Sequence, residues 1–167
     1  IIAIAWCATT AAALDEDEPL AIEATLVALP EGERLRRRIA RMTGISGAAL
    51  QEAPSQDEVA RRLEEALGAH APVPVAHYAR FERPFFEQLL TTHTERDGLP
   101  GLICTHEIAR RLLPGLPRRG LRALAGYFGR VLPEHKRAGV HVEATAVIWR
   151  ALVELLVEEE AVTTLGE

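Results

Sequence analysis

At 167 residues the chain has room for one domain large enough to bury its own core. Its 48% hydrophobic and 26% charged content is ordinary for a globular protein, and no apolar run reaches the roughly 18 residues of a membrane span. The net charge of −5 argues against a dedicated nucleic-acid binder. The charges are bunched, however, so a local basic groove is compatible with an acidic total.

Acids crowd Asp15–Glu18 and Glu158–Glu160, and bases crowd Arg34–Arg38, Arg118-Arg119 and Lys136-Arg137. Lys136 is the only lysine, so nearly all positive charge is guanidinium, the fork that suits phosphate. The competing reading is a solvated face, the usual fate of a charge run. Cys7 and Cys104 lack CxxC spacing, which suggests neither zinc nor a disulfide and points to buried free thiols in a reducing cytoplasm. Ile1 stands where an initiator methionine would, as expected of a trimmed, processed or partial chain, with a larger parent protein one of the possibilities. The run that follows lacks the basic flank of a signal peptide.

The first stretch, Ile1 to Thr10, is apolar until two threonines close it, and reads as a central strand covered on both faces. Its pleat puts Trp6 and Ala8 on one face and Cys7 on the other. Ala11–Glu18 is an acidic turn, Leu20–Leu29 a second strand, and Pro30-Glu31-Gly32-Glu33 a turn. Arg34–Met42 fits neither period well and is expected as a short strand running into loop. Ser46 is an N-cap candidate for a helix through Leu50. Ser55 with Glu58 three residues on forms a capping box, and Val59, Leu63, Ala66 and Leu67 recur on one helical face up to Gly68.

Val73–His77 reads as a short strand whose proline suggests an edge or a strand beginning. A helix follows with an apolar stripe of Phe81, Phe85, Phe86, Leu89 and Leu90, in which Phe81 is expected in the core. Leu102–Thr105 is a strand, and a helix carrying Ile108, Leu112 and Leu113 stops before Pro114. Leu121–Phe128 is a helix closed by Gly129. Val140–Val162 has the longest helical pattern. Strands alternating with helices predict an α/β fold.

Four stretches together resemble the DnaQ-like 3′-5′ exonuclease superfamily, whose ribonuclease-H-like fold carries DEDDh sites. They are Ala5–Thr10, Met42-Thr43-Gly44-Ile45, Val75–Glu82 and Arg137–Thr145. Ile103-Cys104-Thr105 followed by Ala109–Pro114 fits the strand and helix that precede the family's last motif. The resemblance implies a mixed central sheet with helices on both faces, in one domain such as those akin to the epsilon subunit of DNA polymerase III. It also implies hydrolysis by two Mg²⁺ or Mn²⁺ ions roughly 4 Å apart, held by converging carboxylates, with a histidine as general base.

Residue by residue, the resemblance finds that chemistry missing. Against the family's Asp-x-Glu-Thr-Thr, Trp6 stands for the aspartate and Ala8 for the glutamate, with Thr9 and Thr10 retained. Against His-Asn-x-x-Phe-Asp stand His77, Tyr78, Phe81 and Glu82. Lys136 replaces the general-base histidine and His141 the last aspartate, with His135 one place out of register. One carboxylate of four remains, so Glu82 is the only residual metal candidate, and a polar helix-start role competes with it. Magnesium wants oxygens, which Trp6 and Ala8 do not supply, and His141 offers nitrogen.

The expectation is therefore a pseudoenzyme with no cofactor. Thr9, Thr10, His77, Tyr78, Lys136 and Arg137 would face single-stranded DNA or RNA, and the other partners foreseen are domains or subunits of a DNA-processing protein. Trp6 either fills the vacated metal cavity or stacks a base. The alternative is an active exonuclease with a rearranged site built from Glu82, His135, His141 and the acidic loop, loaded with Mg or Mn. His135, His141 and Glu143 are separately a candidate metal or acid–base cluster, against the reading that two of them lie on an exposed helix start. A purely structural module is the third reading. The segment between Leu29 and Met42 is also shorter than the family's pair of strands.

Overall fold

The computed structural model describes residues 1–9, 20–68, 73–99, 101–133 and 137–160, the side chains of Glu159 and Glu160 excepted. β1 (Ala3–Trp6) pairs antiparallel with β2 (Glu23–Leu26), with Ile4 opposite Thr25 and Trp6 opposite Glu23. The apolar run of the first stretch is thus laddered only in its middle four residues. Ile4 is buried and Trp6 packs with it against one core cluster, the same-face spacing of the pleat.

The segment expected as a strand between Arg34 and Met42 is instead a helix, α1 (Arg37–Thr43). Its faces contrast charge with half-buried bulk: Arg37, Arg38 and Arg41 are exposed, while Ile39, Ala40 and Thr43 turn inward. A period sought in apolar residues alone misses that contrast. Gly44, at φ 66°, ends α1, its N–H donating to the Ala40 carbonyl at 2.8 Å. Only a residue without Cβ takes that left-handed turn cheaply.

α2 (Gly47–Gln51) begins as expected, the Ser46 hydroxyl accepting from the Ala49 N–H at 3.1 Å. α3 (Gln56–Gly68) begins with the Ser55 hydroxyl accepting from the Glu58 N–H at 3.2 Å. Only that half of the capping box is present among the described contacts, because the Glu58 carboxylate turns to Arg62. Val59, Leu63 and Leu67 are buried, with Ala60 beside them.

β3 (Val75–Ala76) and β4 (Ile103–Cys104) form a parallel pair, Val75 opposite Ile103. Pro74 precedes β3 and has no N–H to extend the ladder, but its carbonyl accepts from the Ile103 N–H at 2.9 Å. Between these strands runs α4 (Ala79–His93), and after them α5 (Thr105–Leu112) and α6 (Leu121–Tyr127). α6 closes with both bonds of a Schellman motif, Arg130 N–H to Ala125 C=O and Gly129 N–H to Gly126 C=O, with Gly129 at φ 82°. α7 (Ala138–Glu160) is the long final helix.

The fold is α/β, with one antiparallel and one parallel ladder. Among the described residues these are two separate two-stranded pairs rather than one continuous sheet. Two apolar clusters fill it. One joins Ile4, Val27 and the inner faces of α3 and α4; the other joins α5, α6 and α7 around Leu124, Ile148 and Leu152. α7 also packs against β1, linking the halves.

Candidate functional site

The site positions begin at the carboxyl end of β1. Trp6 is half-buried against the α3–α4 cluster, so its ring serves as packing. Ala8 and Thr9 beyond it are exposed. Cys7 is half-buried, and burial raises its thiol pKa, which keeps it protonated. Cys104 is also a free, half-buried thiol, its sulfur accepting from the Ala79 N–H at 3.4 Å.

The junction of β3 and α4 is more developed. His77 is buried, its Nδ1 2.9 Å from the Thr105 hydroxyl, and its Nε2 has no hydrogen-bond partner among the described residues. Burial lowers its pKa to about 4, with the nearby positive potential of His106 and, more weakly, His141 adding to the shift. A neutral imidazole is what such a pocket tolerates. Tyr78 follows at φ 60° and ψ 48°, the left-handed region, as N-cap of α4. A large aromatic residue rarely stands there. Its ring stacks on His106, centroids 4.1 Å apart and planes at 23°, and meets the edge of His77 at 4.9 Å.

Glu82, one turn into α4, is half-buried, and burial pushes its carboxyl pKa up. A guanidinium alongside would push it down. Phe81 is not core, as the sequence reading had it: it is 65% exposed and its ring lies 5.4 Å from that of the exposed Phe85. The helical stripe is wider than the face α4 buries, which is filled by Leu89, Leu90 and Phe86.

His141 lies exposed in the first turn of α7, and its carbonyl accepts from the Thr145 hydroxyl at 2.8 Å. α7 packs against β3, which brings it alongside the strand that leads into the β3–α4 junction. Glu143 pairs with Arg130. Arg137 is exposed. Thr10, the acidic loop Asp15–Glu18, His135 and Lys136 lie outside the described residues.

Thr105, expected to close a strand, instead opens α5 with His106, and neither stands out in the sequence as a functional residue. Their signal was position: they open α5 directly after the apolar β4, where a strand end meets a helix start. The Arg118-Arg119 cluster is not wholly available to a ligand, because Arg119 donates to the Leu113 carbonyl at 2.7 Å and to that of Pro114 at 2.6 Å.

The side chains described at the family's positions do not fit a pair of hard cations. Trp6 and Ala8 offer no side-chain oxygen, Glu82 is a single carboxyl, and His141 offers nitrogen. No group of three His, Cys, Asp or Glu side chains among the described residues is arranged to hold a metal ion. A cleft of about 470 Å³ lies elsewhere, between the start of α3 and the end of α4, where His93 Nδ1 meets Asp57 at 2.6 Å. No helix among the described residues is long and apolar enough to cross a membrane.

Residues 1–139 match the family model of RNase T type, described as exonuclease. The chain is similar to the PolC-type DNA polymerase III of Staphylococcus epidermidis, 34% identical over 130 residues, which cover 75% of this chain and 9% of that protein. The Staphylococcus aureus protein matches to the same extent. The chain thus spans about a tenth of the length of these curated relatives. Among solved structures, the nuclease domain of 3′hExo, a DEDDh family member bound to rAMP, superposes with a TM-score of 0.71 at 11% identity, covering 94% of this chain and 81% of that one. A 3′-exonuclease in specific recognition of the 3′ end of a histone mRNA stem-loop gives 0.65, covering 94% of this chain and 72% of that one. At that identity the likeness shows the fold, which is ribonuclease-H-like.

Proposed function

This chain belongs to the exonuclease family of RNase T type, within the DnaQ-like 3′-5′ exonuclease superfamily, and from that membership we propose that it has lost two-metal hydrolysis and retains the fold as a binding module in DNA or RNA processing. The observation that carries this reading is Trp6. By the resemblance to the family's first motif it stands where the family holds its first aspartate, and its ring packs against the core cluster that holds Ile4. With Ala8 two residues on, neither position presents a side-chain oxygen to a cation. Each missing carboxylate removes a close counter-charge that a pair of divalent ions requires.

The binding role draws support from the β3–α4 junction. The exposed Tyr78 ring, held against His106, offers a flat face on which a base stacks. His77 is buried behind them, so it acts as a positioning residue, fixing Tyr78 and His106 rather than touching a ligand. Thr9 and Arg137 are exposed, as phosphate contacts need to be.

The test is a 3′-end-labelled single-stranded oligonucleotide, DNA and RNA in parallel, incubated with the purified protein and Mg²⁺ or Mn²⁺. The reading expects full-length substrate at the end of the incubation. Metal-dependent trimming that disappears in Glu82→Ala would overturn it in favour of the rearranged active site. Salt dependence separates the two kinds of partner, since binding through phosphates weakens steeply with salt.

A further inference from the structure

The arginines fall into populations with different work. Many of those on the longer helices are matched to a glutamate one turn away, as in Arg61–Glu65, Arg83–Glu87 and Arg150–Glu154. Arg119 and Arg122 hold up backbone carbonyls. Arg34, Arg36, Arg37, Arg38 and Arg41 do neither. All five are exposed, and among the described residues their guanidinium groups have no ion pair or hydrogen bond. Glu31 and Glu33 are the only acids nearby in sequence, and α1 has none in its first turn.

Helical spacing sets Arg37 and Arg41 one turn apart on the same face, with Arg38 beside them. Like charges at that spacing weaken a helix. α1 buries no residue fully, so packing does little to offset the repulsion. A polyanion laid along the face would relieve it. A protein partner fits less well, because an interface needs an apolar core and Met42 is the only large exposed apolar side chain on α1 among five like charges.

We infer that α1 and its lead-in, residues 34–41, form a docking surface for the phosphodiester backbone of single-stranded nucleic acid, separate along the chain from the β1 and α4 positions of the family's site. This rests on the nucleic-acid branch of the function proposed above. The guanidinium fork suits phosphate oxygens, and five forks in eight residues supply repeated, sequence-independent contacts.

The experiment is fluorescence anisotropy with a labelled oligothymidylate between about 50 and 200 mM salt. Five phosphate contacts give a log–log slope near −3.5, a loss of affinity on the order of a hundredfold across that range. The triple variant Arg37→Gln, Arg38→Gln, Arg41→Gln keeps good helix formers and is expected to flatten the slope by about 2. The matching Arg→Lys triple should keep the wild-type slope. A second pair, Arg34→Gln with Arg36→Gln, lies outside the helix and should flatten it by about 1.4 whatever the triple does to folding. Wild-type binding with a slope unchanged in both Gln variants overturns this surface and leaves the function above standing. No binding by the wild-type protein overturns both this surface and the nucleic-acid branch.

Discussion

His77 is a titratable group kept in its neutral form by its surroundings. Its pKa is about 4 when folded against an ordinary 6.5, so the unfolded chain binds the proton more readily over that interval. The stability this provides is complete above pH 6.5 and falls as pH drops toward 4. Glu82 runs the other way: its raised pKa makes its contribution present at low pH and lost as the carboxyl ionises. Urea denaturation of wild type and His77→Gln across pH 4–7 cancels the Glu82 effect in the difference. The variant should show a shallower pH dependence, by up to one proton, and parallel profiles would exclude the assignment. The exchanges proposed at positions 6, 8, 82 and 141 rest on motifs with fixed spacing in the sequence. His106 was not legible there, because its role comes from a ring stack across 28 residues of chain.

Elements whose signals are local were the most readable. Ser46 and Ser55 cap their helices through bonds three residues long, and Gly129 ends α6 through a turn of six. Replacing Ser55 by Ala should cost about 1 kcal/mol in a denaturant titration, and Ser55→Asp should be close to neutral. A loss well below 0.5 kcal/mol would mean that water serves the Glu58 N–H equally well. α1 escaped the same reading because its amphipathic contrast is guanidinium against half-buried side chains. Phe81 failed for the opposite reason: helical period says which residues share a face, and only the neighbours decide how much of that face is covered. At Tyr78 the backbone departs from what its residue type favours, and the His106 stack is the visible compensation.

At the scale of the molecule the two apolar clusters make a quantitative statement. Leu90 and Leu124 are each fully buried, one in either cluster. Each change to Ala should cost about 2–5 kcal/mol, and the double variant should equal their sum within about 0.5 kcal/mol. A larger coupling would show that strain passes between the halves. The α/β class was readable from alternating strand and helix signals, whereas the split into two ladders was not, since pairing is decided between segments far apart. α7 against β1 is the extreme case, because more than 130 residues separate Trp6 from Ala138. A ribosome adds about 5–20 residues per second, so β1 emerges roughly 7–26 seconds before the helix that covers it. Over that interval its apolar side chains have only their early neighbours for company. The packing of β1 is thus completed only once α7 has been made, and a chaperone that shields apolar strands would act on β1 first.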